Sequence, residues 1–340
     1  MRTAIVAAVI AAVVGIILVL GSGDPSGPNA ALVIGLLTGA AYGLVAIGLV
    51  LVYKGARVFN FAQGEFGTLA AFIVYVLIEQ VRSPEIPYWA AIVVAVVSVT
   101  LIGLGMERVV VRPLMDAPKI TLLVATIAFA LFCIGVEIML FLPEAKDLPR
   151  IIDPVTAAGE PVGPELYGFN IEPQLLLMVG VLLLLAVVLG YFFSKTDLGL
   201  AILATSQDAF ATRVVGIGVE RVSRFIWGAA AFLGAVAGIL YIPPSLPLTP
   251  GIMTAGVLIA SFTAAVIGGM TSLPGAFLGG ISVGLIQQLA QWAGGHYQIG
   301  GGENAQFIQD IVPGSANVAV LLVLLLVLMI RPQGLLGSDA

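Results

Sequence analysis

Ten long apolar runs, almost free of charge, constrain the fold of this chain more than any other feature of its sequence. A helix that crosses the hydrocarbon core of a bilayer needs about 20 apolar residues, and most of these runs approach that length. A transmembrane β-barrel is excluded because its strands alternate apolar and polar residues, whereas these runs are apolar throughout. The runs lie at about 3–20, 30–53, 66–78, 88–106, 120–142, 174–193, 225–242, 252–270, 273–293 and 312–330.

These runs predict an all-α integral membrane protein, a polytopic bundle of about eight to ten transmembrane helices. The number stays open because the run 66–78 is short, and the runs 252–270 and 273–293 almost touch. We expect a single transmembrane domain over residues 1–340, with interrupted or re-entrant segments. The first run is either a retained helix or a cleaved signal peptide. It is longer than the roughly 7–15 apolar residues usual in signal peptides, which favours a retained helix.

The composition excludes several other classes of protein. Only 10% of the residues are charged and 60% are hydrophobic, whereas a soluble domain is about 25% charged. A soluble enzyme and a disordered chain are therefore excluded, and a net charge of −5 leaves no basic surface for nucleic acid. Cys133 is the only cysteine and His296 the only histidine, which excludes an intrachain disulfide and a His/Cys metal cluster. We expect no metal and no cofactor, with membrane lipid as the surroundings.

The distribution of Lys and Arg predicts the orientation, because cytoplasmic loops carry an excess of these residues. With the N-terminus inside and ten crossings, eleven basic residues fall inside and three outside, which places both termini in the cytoplasm. The outside residues are Arg82, Lys146 and Arg150. The inside residues are Arg2, Lys54, Arg57, Arg108, Arg112, Lys119, Lys195, Arg213, Arg221, Arg224 and Arg331.

Two loops in this topology are long. Residues 143–173 form an acidic, proline-rich outside loop, which is either a solvated connector or a docking surface for an extracytoplasmic partner. Residues 194–224 form the long inside loop, where Asp197 is a candidate helix cap. Apolar residues then recur at helical spacing, which predicts one short amphipathic helix ending near Gly216. That helix either connects two spans or contacts a cytoplasmic partner.

The chain lacks the motifs of an energy source or an active site. Its Lys-Thr pair, Lys195-Thr196, follows Ser194, where a nucleotide-binding P-loop requires glycine. We find no Ser–His pair or pair of aspartates within the spans, so we expect no catalytic activity. Charges deep in the runs are few, with Glu65 and Glu137 as the candidates, which argues against a proton pump.

Two segments, 54–68 and 268–280, interrupt the apolar sequence with polar or helix-breaking residues. Paired interruptions of this kind occur where transporters bind their substrate, although tight turns at the membrane surface also explain them. Glu65 has an alternative role as an ion-pair partner of Arg57 or Lys54. The candidates for a translocation pathway are Asn60, Gln63, Glu65, Thr68 and Glu137.

Glycines at four-residue spacing predict close contacts between helices, because small residues let backbones approach. They are Gly35, Gly39 and Gly43 in one run, and Gly234 and Gly238 in another.

Four stretches together resemble the permease subunits of bacterial ABC importers for branched-chain amino acids, a family that includes urea and short-chain amide permeases. Residues 60–65 read N-F-A-Q-G-E, close to the N-F-[AG]-[HQ]-G-[EA] of that family. Residues 206–217 resemble its cytoplasmic coupling loop, which ends in a Gly-Ile pair. The other two stretches are residues 262–276 and the C-terminal R-P-Q-G-L-L-G of residues 331–337.

The resemblance implies a transport subunit of the bacterial plasma membrane that is not itself an enzyme. Two permease subunits, identical or different, would pair around one path for a branched-chain amino acid or a related small polar solute. Separate ATPase subunits would supply the energy, and an extracytoplasmic binding protein would deliver the substrate. On the family pattern, the residues that dock the ATPase are Asp208, Ala211, Gly216 and Ile217.

This sequence also departs from the family pattern. Leu200 and Leu203 stand where arginines are frequent, and Gln207 occupies a position that is usually acidic. Either docking rests more on apolar contact, or the partner ATPase is divergent. The alternative function is a secondary carrier or channel that works alone through the same broken helices.

Overall fold

The computed structural model describes residues 28–81, 86–115, 117–152, 162–163, 165–166, 169–207, 209–296, 304–330, 334 and 336. The first apolar run, 3–20, and Asp208 lie outside these residues. The described helices are α1 Pro28–Ala56, α2 Gln63–Tyr75, α3 Tyr88–Met106, α4 Lys119–Phe141, α5 Pro173–Lys195, α6 Asp197–Gln207, α7 Ala209–Val214, α8 Val219–Ser245, α9 Ile252–Gly256, α10 Leu258–Gly268, α11 Leu273–His296 and α12 Asn304–Ile330.

Shorter elements extend or connect these helices. The π-helical turn Val76–Gln80 continues α2, and the π-helical turn Glu107–Val111 followed by the 3-10 turn Arg112–Leu114 continues α3. Within the loop 143–173, the strands β1 (Glu165–Leu166) and β2 (Phe169–Asn170) pair antiparallel.

The molecule is an all-α polytopic membrane protein, as the apolar runs predict. Within the described residues, six helices are long and apolar enough to cross a membrane, and Leu258–Gly268 and Asn317–Ile330 are shorter apolar helices. The six are Ala30–Ala56, Tyr88–Leu114, Lys119–Phe141, Pro173–Phe193, Val219–Ser245 and Leu273–Trp292.

Glycines bring the central helices into backbone contact, which confirms their predicted packing role. A Cβ on Gly39 of α1 would lie 2.8 Å from both the carbonyl oxygen of Gly280 and the Cα of Ile281 on α11. On α8, Cβ atoms added at Gly234 and Gly238 would collide with the first turns of α2. These contacts bury α1 and α8 at the centre of the bundle, whereas α3, α4 and α5 each expose an apolar face.

The second interruption of the apolar sequence, residues 268–280, begins with a tight turn between two helices. Helix α10 ends at Gly268, and Gly269 has a φ of 100° that favours glycine. The Ser272 hydroxyl accepts a hydrogen bond from the Gly275 amide at 3.1 Å, which caps the start of α11. Leu336 contacts this turn, because its amide donates to the Gly268 carbonyl at 3.1 Å.

The loop 194–224 is helical over Asp197–Gln207 (α6) and Ala209–Val214 (α7), and only Asp208, which lies outside the described residues, separates the two ranges. The Ser206 carbonyl in this loop accepts from the Arg57 guanidinium, at 2.8 Å from Nη2 and 3.2 Å from Nε. This contact joins the cytoplasmic loop to the segment that follows α1.

The two ends of this loop follow recognisable capping patterns. The cap of α6 is Thr196 rather than Asp197, because the Thr196 hydroxyl accepts from the Gly199 amide at 3.1 Å. At the end of α7, the Ile217 amide donates to the Thr212 carbonyl at 3.1 Å. The Gly216 amide donates to the Arg213 carbonyl at 3.0 Å, and Gly216 has a φ of 87°. This is a Schellman motif, which confirms the predicted helix end near Gly216.

Candidate functional site

A cavity of about 310 Å³ lies between α1, the turn that leads to α2, and the broken helix α9–α10. Its wall is mostly apolar, with three phenylalanine and three aliphatic side chains beside one amide and one hydroxyl group. Ile259, Phe59, Phe61 and Phe262 are partly or largely exposed, so the cavity is part of the outer face of the single chain. The lining residues are Leu49, Phe59, Asn60, Phe61, Thr254, Leu258, Ile259 and Phe262.

Side-chain amides hold the turn between α1 and α2. The Asn60 Oδ1 accepts a hydrogen bond from the Ala62 amide at 3.0 Å, and Asn60 Nδ2 donates to Gln63 Oε1 at 3.2 Å. Gln63 Nε2 donates to the Ala230 carbonyl at 2.8 Å and thereby ties the turn to α8. Both amide groups therefore bind other protein atoms, and Asn60 also lines the cavity.

Aromatic contacts position the wall on either side of Asn60. The Tyr53 and Phe59 rings stack with centroids 5.2 Å apart, and Phe59 meets the edge of Phe262 at 5.1 Å. The Phe61 ring is nearly parallel to that of Phe262, with ring centroids 6.5 Å apart. The Thr126 hydroxyl accepts from the Phe61 amide at 3.3 Å, which joins this segment to α4. The segment 59–61 is therefore fixed by contacts with three helices.

Glu65, Thr68 and Glu137 come together behind the cavity, where each side chain is 0–1% exposed. Glu137 Oε2 accepts from the Gly251 amide at 2.9 Å, and the Thr68 hydroxyl accepts from the Met253 amide at 3.3 Å. These contacts attach the start of α9 to α2 and α4.

The alternative pairing of Glu65 with Arg57 or Lys54 is not formed. The Arg57 guanidinium donates to the Ser206 carbonyl, and Lys54 Nζ lies 5.4 Å from the centroid of the Phe193 ring. Arg57 also has a φ of 53°, which is uncommon for a residue other than glycine.

The end of α7 presents an apolar surface. Val214 and Val215 are 72% and 74% exposed, and Ala211 and Gly216 are exposed beside them. Ile217 is half-buried at the start of the next segment. Ala211, Gly216 and Ile217 are docking candidates from the family pattern. Sequence reasoning did not select the two valines as candidates, because they continue an apolar sequence without a distinctive motif.

Residues 31–330 match the family model for the branched-chain amino acid transport system / permease component. The chain belongs to this family. The permease protein BraD of the high-affinity branched-chain amino acid transport system of Pseudomonas aeruginosa is 30% identical over 313 residues, which are 90% of this chain and 94% of BraD. LivH of Escherichia coli K12, also named as a permease protein of such a system, is 26% identical over 89% of this chain and 93% of its own.

A third relative is also named as a permease protein for branched-chain amino acid transport. The probable branched-chain amino acid transport permease protein LivH of Methanocaldococcus jannaschii is 27% identical over 87% of this chain and 88% of its own length. The present chain is thus a permease component of a transport system rather than an enzyme, and it spans the membrane several times.

In this permease the predicted pathway residues fall into two groups. Asn60 lines the cavity, whereas Gln63, Glu65, Thr68 and Glu137 are buried behind its wall. Sequence reasoning missed Thr254, Leu258, Ile259 and Phe262 as lining residues, because the run 252–270 reads as one uninterrupted span. Gly251, Thr254 and Gly256 within or beside that run were the available signal.

Proposed function

We propose that this permease forms part of the translocation path of an ATP-driven importer for branched-chain amino acids or related small solutes. The cavity beside Asn60 carries the proposal. Its phenylalanine, leucine and isoleucine side chains suit contact with a branched aliphatic side chain. The Asn60 amide and the Thr254 hydroxyl suit hydrogen bonds with the polar end of such a solute.

A second permease subunit would complete the path, either a copy of this chain or a related one. Ile259 is 56% exposed although it belongs to the wall of the cavity, so the single chain leaves the cavity open on one side. A partner that covers this side would enclose the solute between the two subunits. Gln63, Glu65, Thr68 and Glu137 act in this proposal as the support of the wall.

Contacts between loops support the predicted grouping of the loops on two sides, and the Lys and Arg bias assigns the side that holds both termini to the cytoplasm. Lys146 and Leu248 bridge two segments assigned to the outside, and the Tyr88 hydroxyl donates to the Pro149 carbonyl at 2.6 Å on the same side. Arg112 pairs with Glu220 at 3.2 Å between two segments assigned to the cytoplasm. Residues 143–173 then face the binding protein, and residues 194–224 face the ATPase.

ATPase docking is proposed at the cytoplasmic loop. Asp208, Ala211, Gly216 and Ile217 are the candidates from the family pattern, and the exposed Val214 and Val215 add an apolar surface. Apolar contact of this kind is consistent with Leu200 and Leu203 at positions where the family often has arginine.

Substitution of Ile259 by tryptophan tests the position of the path. In proteoliposomes with the cognate ATPase and binding protein, we expect Ile259→Trp to abolish most ATP-dependent leucine uptake, because the indole fills the open side of the cavity. The matched control is Leu101→Trp, since Leu101 is 60% exposed on α3. Uptake that falls equally in both variants, or in neither, would contradict this path.

A further inference from the structure

Two buried carboxyl groups meet directly behind the cavity wall. Glu65 on α2 is 0% exposed and Glu137 on α4 is 1% exposed, and their side chains interact with each other. Both oxygens of Glu65 and the Oε1 of Glu137 lack a hydrogen-bond donor of good geometry. A third buried glutamate shows the usual solution, because Glu107 receives the Arg112 guanidinium at 3.0 Å.

Within the part of the chain that the structure describes, no positive charge interacts with this pair. Among the described residues, the groups that interact with the two carboxyls are the Thr254 hydroxyl, the Gly251 amide and the thiol of Cys133. An ionised carboxylate buried without a partner costs several kcal/mol, and two facing each other also repel. Adjacent carboxyls in proteins avoid this cost by sharing one proton. A proton on one acid would also provide the donor that the other acid lacks.

We propose that Glu65 and Glu137 bind one proton between them, and that this shared proton holds α9 against α2 and α4 at the wall of the cavity. The inference deepens the proposed function and rests on it for the role of that wall. The mechanical connection is short, since Glu137 accepts from the Gly251 amide at 2.9 Å. Thr254, in the turn that follows, lines the cavity.

Removal of the shared proton would leave two negative charges face to face in an apolar interior. Repulsion would then separate the Glu137 carboxyl from Glu65 and disturb the turn that begins at Gly251. The proton is retained at low pH and lost as the pH rises, so the wall changes on the alkaline side. The permease would thus depend on a bound proton without moving it across the membrane.

Infrared spectroscopy of the full-length permease in lipid tests the bound proton without any transport measurement. At neutral pH we expect the C=O stretching band of a protonated carboxylic acid, shifted by deuterium oxide. Glu65→Gln and Glu137→Gln should each remove it, because an amide N–H then replaces the shared proton as donor. Glu107→Gln is the control and should leave the band, since Glu107 pairs with Arg112. A wild-type spectrum without the band, or a band that survives either substitution, would overturn the proposal.

The pH profile of ATP-dependent uptake tests the role of the proton in the wall. With the same ATPase and binding protein, wild-type uptake should decline on the alkaline side more steeply than uptake by Glu137→Gln, in which the amide keeps both contacts at every pH. Identical alkaline declines in the two proteins would contradict the proposed role of the shared proton in holding α9. If the wild-type complex shows no ATP-dependent uptake, the proposed function fails, whereas the infrared result still decides whether the pair holds a proton.

Discussion

Single glycines determine how closely the helices of this permease can approach. Gly39 on α1 faces the backbone of Gly280 and Ile281, whereas Gly105 on α3 has no atom within 4 Å of an added Cβ. These two glycines, both in membrane helices, therefore have different structural roles. The first allows contact between α1 and α11, and the second only reduces the helix propensity of α3.

Substitution of each glycine by alanine should have different effects on the stability of the permease. Gly39→Ala should destabilise the permease by about 1–3 kcal/mol, because its Cβ would overlap backbone atoms of α11 that have little room to move. Gly105→Ala should leave the stability unchanged or raise it by up to about 1 kcal/mol through helix propensity. Thermal unfolding in detergent measures both. Equal shifts for the two variants would argue against the glycine contact between α1 and α11.

At the scale of secondary-structure elements, a chain of contacts joins the cytoplasmic loop to the cavity. The Arg57 guanidinium binds the Ser206 carbonyl at the end of α6 and lies 5.8 Å from the centroid of the Tyr53 ring. Tyr53 stacks on Phe59, which contacts Phe262 across the cavity wall. A displacement of α6 by an ATPase would therefore reach the wall through Arg57.

Arg57→Gln should lower leucine uptake per ATP hydrolysed, because an amide does not reproduce the two hydrogen bonds of the guanidinium. Arg57→Gly should have the same effect without loss of stability, since glycine adopts a φ of 53° without strain. Lys54→Gln is the control for removal of a nearby positive charge. Simultaneous measurement of uptake and hydrolysis in proteoliposomes gives the ratio. A wild-type ratio in Arg57→Gln would exclude Arg57 from coupling.

The sequence predicts helices and their close contacts better than it predicts the site. Long apolar runs and glycine spacing are local properties, so the spans and the close approach of α1 to another helix follow from them, whereas the identity of that helix does not. The break between α9 and α10 depends on distant partners, since Thr68 binds the Met253 amide and Glu137 binds the Gly251 amide. No local pattern predicts that Glu65 and Glu137 meet. The contact of Arg57 with the Ser206 carbonyl is likewise between residues far apart in the sequence.

The whole molecule is a membrane bundle whose proposed path and proposed docking loop are connected by packed side chains. Family membership makes it a permease component of a transport system, and the sequence has no P-loop of its own. Its cavity is open on one side, and the cytoplasmic loop exposes Val214 and Val215. These features are consistent with the proposed gate, which other subunits would complete and move.

Leucine accumulation by the purified permease in lipid vesicles, with and without its ATPase, tests this central claim most directly. With binding protein and ATP present, we predict accumulation against a gradient only in vesicles that also contain the ATPase, and no ATP hydrolysis by the permease alone. Accumulation by the permease alone, driven by an ion gradient and without nucleotide, would instead identify a secondary carrier and contradict the account.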